Sequence, residues 1–168
     1  MNLDKELRIM HACEVGATGV YRGHKCVARY FFRSSIPDLD DMRLHEKDHT
    51  SIFMKLLMQR NARPCFAYKL FFIAGLIYGA LIGLLGIKAI GASTSAIEEI
   101  VNIEIEIALG KFKGEPHICE LLRAIQLEEK QHQDSGNRLV GDGYVLYKSV
   151  QSIAKAGAYT AKNVASLL

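Results

Sequence analysis

Two segments of this chain repeat one short chemical pattern, Glu46-Lys47-Asp48-His49 and Glu129-Lys130-Gln131-His132. Residues three apart share a face of a helix, so each segment can aim a carboxylate and an imidazole at one point. Each pattern has a single glutamate upstream at nearly the same interval. Glu14 lies 32 residues before Glu46, and Glu98 lies 31 residues before Glu129. One Glu-x-x-His on a helix is ordinarily a solvated surface pair. Two of them, each matched to a glutamate at the same distance, point to a shared metal site.

The hydrophobic pattern puts these groups where they should be buried. Steps of three and four run through Leu7, Met10, Glu14, Ala17 and Tyr21, and through Met42, Glu46, His49, Phe53 and Leu56. The same steps run through Thr94, Glu98, Val101, Ile105 and Ala108, and through Ile118, Leu122, Ile125, Glu129, His132, Gly136 and Leu139. Such steps trace one face of a helix. A buried, unpaired carboxylate is costly and tends to protonate. Four converging carboxylates repel unless cations lie between them. One glutamate from each of two helices, plus Glu-x-x-His from each of two more, is the donor set of ferritin-like di-iron and di-manganese bundles.

The stripes also choose between neighbours. Glu99 falls with Ser95, Asn102 and Glu106 on a polar face, so Glu98 is the better ligand. Glu128 shares a half-polar stripe with Gln131 and Ser135, whereas Glu129 stands three residues before His132. His11, His24, His45 and His117 are expected to be structural or solvated.

Six helices are expected to position these groups, over about 3–32, 38–61, 65–88, 92–112, 116–139 and 143–167, with ends good to about four residues. The three prolines, Pro37, Pro64 and Pro116, all fall at boundaries. No alternating β pattern of useful length occurs. The expected fold is all-α, a ferritin-like four-helix bundle with an additional apolar crossover helix and a C-terminal helix, in one domain over residues 1–168. A chain of 168 residues, 49% hydrophobic, can bury the core this needs. A net charge of +3 is too small to argue for nucleic acid as a partner. Cys13, Cys26, Cys65 and Cys119 form no metal-binding spacing and are expected to be buried reduced thiols. The first residues, MNLDKELRIMHA, lack the apolar core of a signal peptide, so a cytosolic chain or one with its targeting segment removed is expected.

The run Leu70–Ile87 has no charge and is flanked by Lys69 and Lys88. It reaches the length of a transmembrane candidate. A span would put the two halves of the metal site on opposite sides of a bilayer, so a helix lying in the membrane interface is favoured over a buried or crossing one. Gly75, Gly79 and Gly83 suggest a packing seam. The last helix carries Leu146, Val150, Ile153, Gly157, Ala161, Val164 and Leu168 at heptad-like steps, as a bundle-covering helix would.

These segments together resemble the demethoxyubiquinone hydroxylase family. His11-Ala12-Cys13-Glu14-Val15-Gly16-Ala17 resembles its HAGEVGA segment, and Glu46-Lys47-Asp48-His49 its second-helix ligand pair. Ile97-Glu98-Glu99 resembles its VEE segment, and Glu128-Glu129-Lys130-Gln131-His132-Gln133-Asp134 its EELEHHD segment. The resemblance covers about residues 7–168. It implies a di-iron monooxygenase that hydroxylates the ring of a polyprenylated demethoxybenzoquinol, using dioxygen and two electrons. It implies that Glu46 and Glu129 bridge two irons, with Glu14 and His49 on one and Glu98 and His132 on the other. It implies an electron donor, NADH being one candidate, and a prenyl-tail channel formed in part by the apolar helix. The implied location is one leaflet of a membrane, as a peripheral protein of the bacterial cell membrane or the mitochondrial inner membrane. A second copy of the chain or other ubiquinone-biosynthesis proteins are the candidate protein partners.

The chain departs from the family in two places. Cys13 stands where the family has glycine. Glu104 and Ile105 stand where it usually has a His-Tyr pair, six and seven residues after the glutamate aligned with Glu98. Glu104 is left open as an acid behind the ligands, a spare ligand or a solvated group. The alternative functions are a di-iron oxidase acting on a different lipid and a non-enzymatic ferritin-like iron binder.

Overall fold

The computed structural model describes residues 3–168. Its helices are α1 (Leu3–Phe31), α2 (Ile36–Gln59), α3 (Tyr68–Leu84), α4 (Ile87–Lys111), α5 (Pro116–Val140) and α6 (Tyr147–Leu167). A 3-10 turn at Arg33–Ser35 joins α1 to α2, and no strand occurs among the described residues. Proline sits in the first turn of α2 and of α5, where a missing N–H costs nothing. At the end of α2, Asn61 takes a left-handed φ of 54°. The Ala62 N–H then reaches the Leu57 carbonyl and the Asn61 N–H that of Met58, which closes the helix.

The middle boundaries differ from expectation. The apolar run Leu70–Ile87 is not one helix. The chain turns at Gly86 with φ 105° and ψ 171°, so α3 ends at Leu84 and α4 starts at Ile87, not near residue 92. Only glycine adopts that conformation freely, and hydrophobicity carries no trace of it. The α6 start at Tyr147 is within four residues of the expected 143 and follows Gly141 and Gly143, which both take positive φ.

Helices α1, α2, α4 and α5 form an all-α, ferritin-like four-helix bundle. One end is filled by Leu7, Phe53, Leu57, Ile105, Leu122 and Ile125 among others. The other holds Tyr21, Ala28, Leu39, Met42 and Ile90. Glu14, Glu46, Glu98 and Glu129 fall between these two apolar layers in all four helices, so the layers shield the carboxylates from water at both ends.

The two remaining helices cover the bundle from outside, α3 on α1 and α6 on α4 and α1. The glycine seam in α3 is a real contact. A Cβ at Gly75 would run into the Gly16 carbonyl of α1, and one at Gly79 into that of Val20. The opposite face of α3 is bare: Leu70, Ile73, Ile77, Leu81 and Leu84 are each about half exposed or more. That rules out a fully buried α3. Among the described residues no helix is long and apolar enough to cross a membrane. Of the two flanking lysines, Lys88 is engaged by the protein, donating to the Asp142 carbonyl.

Candidate metal centre

The six expected ligands meet in the middle of the bundle. Each offers an atom to one of two groups, Glu14, Glu46, His49 and Glu129, and Glu46, Glu98, Glu129 and His132. Within each group the ligand atoms all lie within 4.8 Å of one another. Glu46 and Glu129 belong to both groups, and all six residues are buried. His49 Nδ1 lies 3.0 Å from Glu129 Oε1, 3.8 Å from Glu14 Oε2 and 4.0 Å from Glu46 Oε2. His132 Nδ1 lies 3.1 Å from Glu129 Oε2 and 3.5 Å from Glu46 Oε1. Neither Glu99 nor Glu128 contributes to either group.

The residues fit a pair of cations. Both Glu46 oxygens, Glu129 Oε1 and His49 Nδ1 are buried without a hydrogen-bond partner. The short His49–Glu129 approach therefore lacks hydrogen-bond geometry, as expected of two donors converging on a third atom. Buried acceptors normally find a donor, and so many orphans in one place fit the binding of a cation. Carboxylates with two imidazoles form an oxygen- and nitrogen-rich set suited to iron or manganese.

The electrostatics agree. Burial raises the pKa of Glu46 well above the usual carboxylate range, and the Glu129 charge raises it further. Glu98 is raised for the same two reasons. Burial works against ionising Glu129 too, yet the hydrogen-bonded His132 and the positive charge of the adjacent His49 outweigh it and hold the pKa at about 2. Burial opposes the His49 imidazolium, but the Glu129 and Glu14 carboxylates overcome it and push its pKa up to about 11. Protons raised onto these groups compensate the same clustered charge that a cation would.

Three further residues contact the candidate ligands. Tyr21 donates a short hydrogen bond to Glu98 Oε1 across the bundle. Burial and the Glu98 charge raise the Tyr21 pKa, so it stays a donor. Each histidine turns Nδ1 to the cluster and Nε2 outward. His49 Nε2 meets Glu128 Oε2 at 2.7 Å, and His132 Nε2 meets His45 Nδ1 at 3.0 Å. The His45 and His132 rings stack with centroids 5.2 Å apart. The expectation that His45 is only structural or solvated is thus corrected: it backs a candidate ligand. The contact joins residues 87 apart, so no stripe on one helix could reveal it.

The other histidines behave as expected. His11 and His24 are buried without hydrogen-bond partners, edge-on to Tyr68 and Tyr21, and His117 is exposed. Glu104 is neither a cluster member nor free in solvent; its Oε2 lies 2.6 Å from Lys162 Nζ of α6. Glu99, half exposed, pairs with Lys155 at 2.8 Å. Beside the cluster, a cavity of about 620 Å³ opens between α1, α3, α4 and α6, with Glu14 in its wall.

Comparison with known proteins gives the family of the chain. The family model described as "Ubiquinone biosynthesis protein COQ7" matches residues 1–165. The mitochondrial NADPH-dependent 3-demethoxyubiquinone 3-hydroxylase of Bos taurus is 30% identical over 175 residues, covering 96% of this chain and 78% of its own. The 3-demethoxyubiquinol 3-hydroxylase of Rhodospirillum rubrum is 30% identical over 157 residues, covering 93% of this chain and 74% of its own. The mitochondrial NADPH-dependent 3-demethoxyubiquinone 3-hydroxylase of Homo sapiens is 29% identical over 165 residues, covering 95% and 75%. With all six helices matched but for the last two residues of α6, the chain belongs to the ubiquinone biosynthesis protein COQ7 family.

Proposed function

We propose that this chain is a monooxygenase that adds a hydroxyl group to the ring of a polyprenylated demethoxybenzoquinol, with two irons held by Glu14, Glu46, His49, Glu98, Glu129 and His132. Membership of the family and the names of the relatives make it a hydroxylase of ubiquinone biosynthesis. The observation that carries the metal reading is the pair of four-donor groups sharing Glu46 and Glu129, next to an apolar cavity that Glu14 helps to line. When bound, two irons supply the activation of dioxygen by electrons that organic side chains cannot provide.

The chain's own residues do the rest. Glu46 and Glu129, common to both groups, would hold both metals. Glu14 with His49 would complete one site, and Glu98 with His132 the other. Tyr21 holds the Glu98 carboxylate in one orientation. With metal bound, Glu128 and His45 would accept from the outward Nε2–H of the two histidines and leave each Nδ1 lone pair facing inward. The two apolar layers of the bundle keep bulk water from the cluster.

The substrate's prenyl tail belongs in the apolar cavity, and the bare face of α3 rests on one leaflet of a membrane. NADH, expected above, and NADPH, which the names of the mitochondrial relatives carry, are the electron donors to compare.

The test is anaerobic loading with ferrous iron, then turnover of a demethoxyquinol. Two irons per chain and hydroxylated product are expected, and cells lacking the chain should accumulate the demethoxy precursor. A folded chain that stays metal-free after loading sinks the iron assignment. An unchanged quinone profile in the deleted cells sinks the substrate.

A further inference from the structure

The cavity beside the cluster has a mainly apolar wall, with Ile9, Val20, Phe71, Ile100, Val101 and Ile105 among its lining. Few polar groups reach it, and most are already engaged. Glu14 belongs to the metal set. Glu6 is tied to Lys111 at 2.9 Å, and the Tyr78 hydroxyl to Ser93 Oγ at 2.9 Å. Thr160 donates to the Ala156 carbonyl in its own helix. Glu104 and Lys162 are different. They face each other from α4 and α6 at 2.6 Å, and both line the cavity.

That single bond leaves hydrogen-bonding capacity over. An ammonium has three donors and a carboxylate two acceptor oxygens. One N–H of Lys162 and one oxygen of Glu104 are used, and no other partner for either is present among the described residues. Their side chains keep 32% and 23% of their surface. An ion pair in an apolar wall contributes little to stability, and well-packed apolar side chains often do as well or better. What it offers a ligand is a strong donor beside a strong acceptor, in surroundings that otherwise welcome hydrocarbon.

We propose that the Glu104–Lys162 pair is the polar end of this cavity and sets substrate specificity by binding the oxygen substituents of the ring, Lys162 donating to a ring oxygen and Glu104 accepting from a ring hydroxyl. The class of ligand follows from the wall: a long apolar body carrying a ring with a hydroxyl and a second oxygen. Naming that ring a demethoxyquinol rests on the hydroxylase reading above. The pair and Glu14 share one cavity, so a ring held there is presented to the cluster while its tail lies along the apolar wall.

The experiment measures binding to the full chain of two probes, a decyl-tailed demethoxybenzoquinol kept reduced under anaerobic conditions, and decylbenzene, which has the tail and ring without oxygens. Lys162→Met should weaken quinol binding by roughly ten- to a hundredfold, the factor that goes with losing a charge-assisted hydrogen bond. The effect on decylbenzene should be negligible. Because Lys162→Met strands Glu104, the double variant Glu104→Leu/Lys162→Met is measured beside it. It should fold and melt like the unaltered chain, bind decylbenzene as well or better, and still bind the quinol poorly. A double variant that binds the quinol like the unaltered chain overturns the proposal, as does equal weakening of both probes. Turnover separates the two readings. Selective quinol binding without hydroxylation by the iron-loaded chain defeats the hydroxylase and leaves the pair's role standing. Normal hydroxylation by the double variant with unaltered KM does the reverse.

Discussion

His49 and Glu128 face each other at 2.7 Å on the outer side of the candidate metal centre, a fully buried imidazole meeting a carboxylate that is 41% exposed. The neighbouring Glu129 approaches the same ring from the inside, at Nδ1. Consecutive glutamates of α5 thus grip the two nitrogens of one histidine, Glu129 as a candidate ligand and Glu128 as the group that orients it. Removing such an orienting partner ordinarily costs about 10–100-fold in metal affinity. Glu128→Ala should weaken iron binding by that factor, measured by chelator competition, with helix content unchanged. His45 backs His132 without a formal negative charge, so His45→Ala should cost less. Unchanged affinity in Glu128→Ala would show the contact to be incidental.

The register of α4 yields a second expectation. Glu98 is buried and bonded to Tyr21, whereas Glu99 is half exposed and paired with Lys155. Glu98→Gln should lose one iron and the oxidation chemistry. Glu99→Gln breaks only a surface ion pair and should change stability by less than about 1 kcal/mol. Metal analysis with urea unfolding checks both, and a metal-deficient Glu99→Gln would place the wrong glutamate in the site.

Stability should depend on pH through His24. Burial pushes its imidazole down to about 3 from an ordinary 6.5, and neither ring nitrogen has a partner. The unfolded chain binds this proton below pH 6.5 while the folded chain does not. Stability is therefore complete above that value and falls, as pH drops, by about 1.4 kcal/mol per unit until the folded group titrates near 3. His24→Leu removes this term. Between pH 7 and pH 5 the unaltered chain should lose about 2 kcal/mol more than the variant in urea unfolding. Parallel pH curves for the two proteins would contradict it.

The bare face of α3 predicts lipid binding. Leu70, Ile73, Ile77, Leu81 and Leu84 form one exposed stripe, while the opposite face is locked onto α1 by Gly75 and Gly79. An apolar stripe of this size calls for a lipid surface or a partner. Phe72 is less useful as a probe because it is half-buried with Arg22 over its ring. Replacing Ile73, Ile77 and Leu81 with serine should release the chain from vesicles in flotation while leaving its melting temperature nearly unchanged. A triple variant that floats like the parent chain would move the membrane contact elsewhere.

The residues of the candidate centre were legible in one dimension because helical periodicity is a local property. Glu14, Glu46, His49, Glu98, Glu129 and His132 each sit on an apolar stripe of their own helix, and burial of the stripe carries them inward together. The same logic separated Glu98 from Glu99 and Glu129 from Glu128. The break at Gly86 was hidden, because an apolar run reports burial and not backbone φ. The particular side-chain contacts between helices were also hidden. Glu128 on His49, His45 on His132, Tyr21 on Glu98 and Lys162 on Glu104 link residues 58 to 87 positions apart. These contacts depend on helix rotation and on which helix packs beside which, and those are settled by interdigitation of side chains over whole faces. Sequence alone determined the candidate ligand set and the bundle that carries it. Tertiary packing decided which groups stand behind the ligands and where the polar end of the cavity lies.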